Sequence, residues 1–127
     1  MSNSNFNSVL IIGVGLIGSS IARAMREKNL VKYIYGLDND LGNLNKCKDL
    51  NILSEVSNNL NNYSEQFDMI IICSPLSTYK KIFSDLNSYV VKDTLITDVG
   101  STKISTIKDF QEVVTNQKLL FVPSHPI

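Results

Sequence analysis

A short glycine-rich segment is the part of this sequence best suited to chemistry. It reads Gly13-Val14-Gly15-Leu16-Ile17-Gly18, and it lies between an apolar run and a segment of helical period. In such a segment the first glycine permits a tight turn, the second leaves backbone open to a phosphate, and the third lets the helix approach the strand. Free N–H groups and the positive end of the helix dipole attract the phosphates. The spacing predicts a dinucleotide-binding loop whose binding residues are Gly13, Gly15, Leu16, Ile17 and Gly18. The alternative is a set of ordinary turn glycines.

An acidic residue stands 20 positions beyond Gly18, at the end of the next apolar run. This residue, Asp38, occupies the place where a carboxylate accepts hydrogen bonds from the adenosine ribose. A carboxylate there would repel a 2′-phosphate, and the following residue is Asn39 rather than an arginine. The predicted cofactor is therefore NAD and not NADP. The alternative is that Asp38 only caps the next helix, a role that Asp40 could fill equally well.

Apolar runs of strand length alternate with segments of helical period along the chain. Strands are predicted at about 8–12, 33–37, within 52–56, 68–73, 94–98 and 119–122. In the first helix, a buried stripe is predicted at Ile17, Ile21, Ala24 and Met25. Stripes of the same helical period are predicted in two later helices, at Tyr79, Ile82, Phe83 and Leu86, and at Ile104, Ile107, Phe110, Val113 and Val114. This order predicts a Rossmann-type α/β fold, doubly wound, with a mostly parallel sheet and helices on both faces. One NAD-binding domain over 8–127 follows, preceded by a disordered tail at 1–7.

Composition restricts the classes of partner. The 127 residues include 12 Lys plus Arg and 12 Asp plus Glu, so there is no basic field to attract nucleic acid or an anionic membrane. No apolar run approaches the roughly 20 residues that span a bilayer, and the polar start does not resemble a signal peptide. A cytoplasmic protein with free thiols at Cys47 and Cys73 is expected. No metal site is predicted.

Three later segments also stand at predicted strand ends. They contain Cys73-Ser74-Pro75, residues 98–103 with the sequence DVGSTK, and residues 123–127 with the sequence PSHPI. Together with GVGLIGSS at 13–20, these segments resemble the prephenate dehydrogenase family, which includes the cyclohexadienyl and arogenate dehydrogenases of tyrosine biosynthesis. The resemblance runs from about Val9 to the last residue. It implies an oxidative decarboxylation in which hydride passes from the substrate to NAD.

The resemblance also implies roles for individual residues. His125 would accept the proton of the substrate's ring hydroxyl, and Ser101 would hydrogen-bond that histidine beside the nicotinamide. Ser74 and Pro75 would pass beneath the nicotinamide ribose, although Pro75 could equally be a helix-start proline. Lys103 could add positive charge near an anionic substrate, or be a solvated lysine at a helix start.

In that family a helical domain follows the HPI motif, supplies groups for the substrate carboxylates and builds the dimer. This sequence contains none of it, so we expect the chain to bind NAD without turning over prephenate or arogenate by itself. The uncovered apolar surface near Phe121 and Val122 favours a homo-oligomer. Two alternatives remain open, a non-catalytic NAD-binding module or remnant, and the cofactor half of another small-substrate dehydrogenase.

Overall fold

Six parallel strands form one sheet in the computed structural model, which describes residues 6–99 and 103–123, with the backbone alone at 103 and 104. The strands are β1 (Phe6–Ile12), β2 (Val31–Leu37), β3 (Glu55–Ser57), β4 (Met69–Ile72), β5 (Thr94–Asp98) and β6 (Leu119–Phe121). Their order in the sheet is β3-β2-β1-β4-β5-β6. The chain winds outwards in one direction from β1 and in the other from β4. The predicted doubly wound parallel sheet is confirmed, and its ligand crevice belongs at the β1–β4 switch point.

In the described part of the chain, four α-helices cover the two faces of this sheet. They are α1 (Leu16–Glu27), α2 (Leu41–Asp49), α3 (Tyr79–Tyr89) and α4 (Lys103–Val113). Successive side chains of β1 point to opposite faces, so Val9 and Ile11 pack with α1 and α2 while Leu10 and Ile12 pack with α3 and α4. All four side chains are buried on their own face. A strand buried on both faces explains the continuous apolar run in the sequence.

Strands β2, β4 and β6 differ from their predicted bounds by one or two residues at an end, and β1 and β3 differ for reasons visible in the structure. β1 begins at Phe6, which pairs with Val31, so residues 6 and 7 belong to the sheet rather than to the predicted tail. Residues 1–5 of that tail lie outside the described part of the chain. β3 occupies Glu55–Ser57, at and beyond the end of its predicted window, because the preceding Ser54 instead bonds β2 through its backbone N–H and its hydroxyl.

Asp68 explains why β1 starts early. Its Oδ2 accepts the backbone N–H groups of Asn7 at 2.7 Å and Ser8 at 3.1 Å, and its Oδ1 lies 2.8 Å from the Lys92 ammonium. Burial by itself raises the pKa of this carboxyl, but the hydrogen bonds from Lys92, Ser8 and Asn7 outweigh it and hold the pKa below its usual value. The ionised form of Asp68 therefore fixes the first strand to the β3–β4 connection.

The predicted buried stripe of α1 is only partly correct. The buried residues are Gly18, Ala22 and Met25, whereas Ile17 is 57% exposed and Ala24 is also exposed. Arg26, on the flank opposite Ile17, donates a hydrogen bond to the Ile52 carbonyl, as this rotation of the helix allows. The helix therefore presents its small residues to the sheet and leaves an apolar flank uncovered.

The predictions for the cysteines and for the buried stripe of α4 have different outcomes. Cys47 is buried on α2, Cys73 is half-buried after β4, and both are free thiols as predicted. On α4 the predicted core residue Ile107 is instead exposed, and the buried position is its neighbour Thr106. Within the described ranges, no helix combines the length and the apolar character that a membrane crossing requires.

Candidate functional site

The glycine loop leaves β1 at the predicted crevice, and its first glycine makes the turn. Gly13 has φ of +90°, a conformation that side chains disfavour, and its N–H donates to the Leu37 carbonyl at 2.8 Å. A Cβ at Gly13 would lie 2.7 Å from the backbone nitrogen of Ser74. The turn therefore requires glycine both for its backbone angle and for the close approach of the β4 end.

The second and third glycines of the motif have different surroundings. A Cβ at Gly18 would overlap the carbonyl oxygen of Gly13, so this glycine lets α1 pack against the end of β1. A Cβ at Gly15 would meet no described atom within 4 Å. None of the described residues therefore demands glycine at that position, and the open space lies where a ligand would contact the backbone.

The start of α1 is open to a ligand. Gly15 is the N-cap, no side-chain hydrogen bond caps the helix among the described residues, and its first turn contains no acidic residue. The first N–H groups of a helix have no partner within the helix, and the helix dipole makes this end positive. The backbone at Leu16, Ile17 and Gly18 is therefore suited to hold an anion such as a pyrophosphate.

Asp38 stands beside this loop at the end of β2. Its Oδ2 accepts the Val14 N–H at 2.7 Å, and its Oδ1 accepts the Asp40 N–H at 3.2 Å. Asp40, and not Asp38, caps α2, because the Asp40 carboxylate accepts the Asn43 N–H. The helix-cap alternative for Asp38 is thus wrong. Each carboxylate oxygen of Asp38 retains a lone pair that could accept a hydrogen bond from a ligand hydroxyl.

Asn43 is a positioning residue that the sequence pattern did not indicate. Its side-chain amide donates to the Val14 carbonyl, while Asp38 accepts the Val14 N–H. Hydrogen bonds from the end of β2 and from α2 therefore hold the N–H and the carbonyl of Val14. The Val14 side chain itself is fully buried. No spacing rule relates Asn43 to Val14, since they meet only when α2 packs beside the glycine loop.

A cavity of about 580 Å³ opens beside these groups at the carboxyl ends of β1, β2 and β4. Gly13, Asp38 and Ser74 line one part of it, and Lys81 and Asp85 of α3 line another. Its size is in the ordinary range for a small-molecule or cofactor site. The structure thus brings Gly13, Asp38 and Ser74, which are far apart in sequence, to one opening.

Ser74 and Pro75 begin a 3-10 turn, Leu76–Thr78, that leads into α3. The Thr78 hydroxyl donates to the Pro75 carbonyl at 2.6 Å and lies 2.8 Å from the Ser74 hydroxyl. Pro75 is the N-cap of this turn, so the structural role predicted for it is present. Its predicted contact with a nicotinamide ribose stays a prediction.

Asp98 is a fully buried carboxylate at the end of β5, and it accepts the Tyr79 hydroxyl at 3.0 Å. Burial, and secondarily the negative charge of Asp98, raise the pKa of the nearby Cys73 thiol to about 11. Cys73 is therefore a protonated thiol at neutral pH and is not suited to act as a nucleophile. The sequence pattern assigned Tyr79 only to the buried stripe of α3, without its hydrogen bond to Asp98.

Several predicted site residues cannot be placed. Ser101 and His125 lie outside the described residues, and of Lys103 the structure shows only that its backbone begins α4. Over the described ranges, no group of three or more His, Cys, Asp and Glu side chains is arranged to hold a metal ion.

Comparison with known proteins identifies the lineage of this site. Residues 21–127 match the sequence profile of the family described as "Prephenate dehydrogenase, nucleotide-binding domain". The chain belongs to this family. It is 30% identical over 122 residues to a cyclohexadienyl dehydrogenase of Zymomonas mobilis and 32% identical over 121 residues to a prephenate dehydrogenase of Lactococcus lactis. These alignments include 96% and 94% of this chain. The resemblance inferred from the sequence motifs is confirmed.

A solved structure agrees with this assignment. The crystal structure of a prephenate dehydrogenase from Aquifex aeolicus, in complex with hydroxyphenyl propionate and NAD+, superposes with a TM-score of 0.82 at 31% identity. The superposition covers 95% of this chain and 42% of that one. The chain likewise spans 41% of the Zymomonas relative and 33% of the Lactococcus relative. It therefore corresponds to the nucleotide-binding part of these dehydrogenases.

Proposed function

We propose that this chain binds NAD as the cofactor half of a prephenate or cyclohexadienyl dehydrogenase. The observation that carries the proposal is the uncapped start of α1, with open space at Gly15 and the Asp38 carboxylate beside it. The phosphates would bind the first N–H groups of α1, and the adenosine ribose would donate its hydroxyls to Asp38. The Aquifex relative bound to NAD+ supports the choice of dinucleotide.

The surroundings of Asp38 support NAD over NADP. A 2′-phosphate on the ribose would face this carboxylate at close range. Lys81 is the one basic residue among the described residues that line the cavity, and its ammonium already lies 2.9 Å from the Asp85 carboxylate. Within the described wall of the cavity, a phosphate dianion would therefore meet a negative charge and no unpaired cation.

Titration of the purified chain with NAD and NADP, by calorimetry, tests this proposal directly. We expect NAD to bind at least about tenfold more tightly, which corresponds to roughly 1.4 kcal/mol. In the Asp38→Asn variant the preference should shrink, because the neutral amide no longer repels the 2′-phosphate. Equal affinity of the wild-type chain for both dinucleotides would contradict the role of Asp38. Failure to bind either one would contradict the function.

We further propose the chemistry that the family resemblance implies. His125 would accept the proton of the substrate hydroxyl, and bound NAD would supply the hydride acceptor for the oxidation that releases carbon dioxide and makes the ring aromatic. Ser101 would orient His125, and Lys103 would contribute positive charge near the substrate carboxylates. In an assembly that also supplies the helical domain and forms NADH from prephenate, His125→Asn should abolish that formation without loss of NAD affinity. A variant that retained the wild-type rate would contradict this role.

The competing candidate, a non-catalytic NAD-binding module, predicts no such reaction in any assembly that contains the chain.

We also propose that the chain associates with a second copy through its uncovered apolar surface near Phe121 and Val122. Leu120 is 62% exposed and Val122 is 49% exposed on β6 and the residue after it. Because the net charge is zero, two copies would not repel each other at neutral pH. Sedimentation velocity at increasing concentration should show a dimer. A strictly monomeric profile at high concentration would contradict the proposal.

The same balance of charges supports a small-molecule enzyme rather than a nucleic-acid-binding protein. We also propose a cytoplasmic location for it. Recovery of the native protein in a fraction other than the cytoplasmic one would count against that location.

A further inference from the structure

The cavity beside the glycine loop continues along α3 beyond the groups considered so far. Its wall includes Thr78 near the loop and Ser88 near the far end of the helix. At 1.5 Å per residue, these positions are separated by about 15 Å along the helix axis. A ligand that contacts the glycine loop with its phosphates and Asp38 with its ribose therefore has room for a further group along α3.

In NAD the group attached to that ribose is a purine base, and it would occupy this room. The cavity is lined in part by the half-buried side chain of Ile82 and by the apolar side chains of Leu37 and Leu60. Flat apolar rings are stabilised by contact with such side chains, but contact alone does not distinguish one base from another. Selection among bases requires polar groups that match the edge of the ring.

Lys81 and Asp85 supply such groups. They stand one helical turn apart on α3, both line the cavity, and their Nζ and Oδ2 atoms are 2.9 Å apart. Lys80, the neighbour of Lys81, instead pairs with Asp109 and Glu112 of α4, away from the cavity. The Lys81–Asp85 pair thus presents a donor and an acceptor side by side to whatever occupies this end of the cavity.

Adenine carries the complementary pattern. Its exocyclic N6 amine is a donor, and the adjacent N7 is an acceptor. The Asp85 carboxylate can accept from the amine while the Lys81 ammonium donates to the ring nitrogen. In hypoxanthine the amine is replaced by an oxygen, so Asp85 would face lone pairs and lose its hydrogen bond.

We propose that Lys81 and Asp85 read the base of the bound dinucleotide and select adenine over a 6-oxopurine. This inference rests on the proposed binding of NAD, and it adds a specificity determinant to that site. Removal of the Asp85 charge could strengthen or weaken the binding of any anionic dinucleotide. The ratio of two affinities, rather than either affinity alone, therefore isolates recognition of the base.

The experiment compares NAD with nicotinamide hypoxanthine dinucleotide, binding each to the wild-type chain and to Asp85→Asn by calorimetry. We expect the wild type to prefer NAD by roughly tenfold, as is typical when one base edge is matched and the other is not. In Asp85→Asn the preference should fall to within about twofold, because the amide can donate to the 6-oxo group as well as accept from the amine. The matched control is Asp93→Asn, since Asp93 is an exposed carboxylate that pairs with Lys118 just before β5, at the end of the strand away from the cavity.

The outcomes distinguish a failure of the base-recognition proposal from a failure of the proposed NAD binding. If the wild type binds both dinucleotides equally, or if Asp85→Asn keeps the wild-type preference, the base-reading inference is overturned while NAD binding stands. If neither dinucleotide binds the wild type, the proposed function itself fails. If Asp93→Asn changes the ratio as much as Asp85→Asn does, a general charge effect replaces recognition by the pair.

Discussion

The Gly15→Val variant should bind NAD about 100-fold more weakly than the wild type while it keeps the wild-type fold. A side chain at Gly15 meets no described protein atom within 4 Å, so the backbone has no reason to rearrange. The valine methyl groups would occupy the space that the pyrophosphate needs. Loss of two charge-assisted hydrogen bonds to the phosphates accounts for about 3 kcal/mol, or roughly a factor of 100. Calorimetric titration with NAD measures the change.

Thermal unfolding of the same variant separates a binding defect from a folding defect. A matched control is Ala24→Val, which adds the same two methyl groups at an exposed position further along α1. We expect this control to bind NAD normally and to melt close to the wild type. If Gly15→Val bound NAD within a factor of two of the wild-type affinity, the phosphates would not bind at Gly15.

The Gly13→Ala variant should show the opposite behaviour, with a loss of about 3 kcal/mol in the free energy of unfolding. An alanine at φ of +90° is strained by roughly 1–2 kcal/mol. Its Cβ would also lie 2.7 Å from the Ser74 nitrogen and 2.9 Å from the Cys73 carbonyl carbon. These are backbone atoms that cannot rotate away, so relief requires β1 and β4 to move apart, at a cost of about 1–3 kcal/mol.

Urea denaturation measures this loss, with Gly42→Ala as the matched control. Gly42 lies in the first turn of α2, where a Cβ would meet only the Asp40 carboxylate, at an ordinary 3.4 Å. The control should be stabilised by about 0.5–1 kcal/mol, because alanine favours a helix more than glycine does. A loss of less than about 1 kcal/mol in Gly13→Ala would show that the turn accepts a side chain and that our account of it is wrong.

The layered order of the fold could be predicted because it is encoded locally. The apolar run of β5 predicts Thr94–Asp98 with both ends correct, since turns bound it on each side and both of its faces pack. The predicted window of β3 starts and ends too early in the sequence, because the strand has only three residues and little apolar character. For so short an edge strand, pairing with β2 decides the boundaries more than the composition of the segment does.

The rotation of α1 shows a limit of patterns based on hydrophobicity. Ile17, Ile21 and Ala24 recur at helical spacing, and so do Gly18, Ala22 and Met25 about 100° further round. Met25 was part of the predicted stripe and is buried, whereas Gly18 and Ala22 were not predicted. The sequence pattern favours the larger side chains as the buried set. The close contact between α1 and the end of β1 instead admits only the smaller set, as the overlap predicted for a Cβ at Gly18 shows.

Residue types and spacing by themselves determined the parallel sheet, the glycine loop and the carboxylate at Asp38. Each of these follows from a local property of the sequence. The sheet follows from the apolar runs of strand length, the loop from a turn that needs glycine, and Asp38 from its distance along the chain. The tertiary structure decided which groups meet: Asn43 with Val14, Tyr79 with Asp98, and the Lys81–Asp85 pair with the cavity that begins at Gly13. The members of these sets come from different elements, and their distances depend on how helices pack on the sheet. No periodicity along the chain carries that information, since only the folded packing brings such side chains within hydrogen-bonding range.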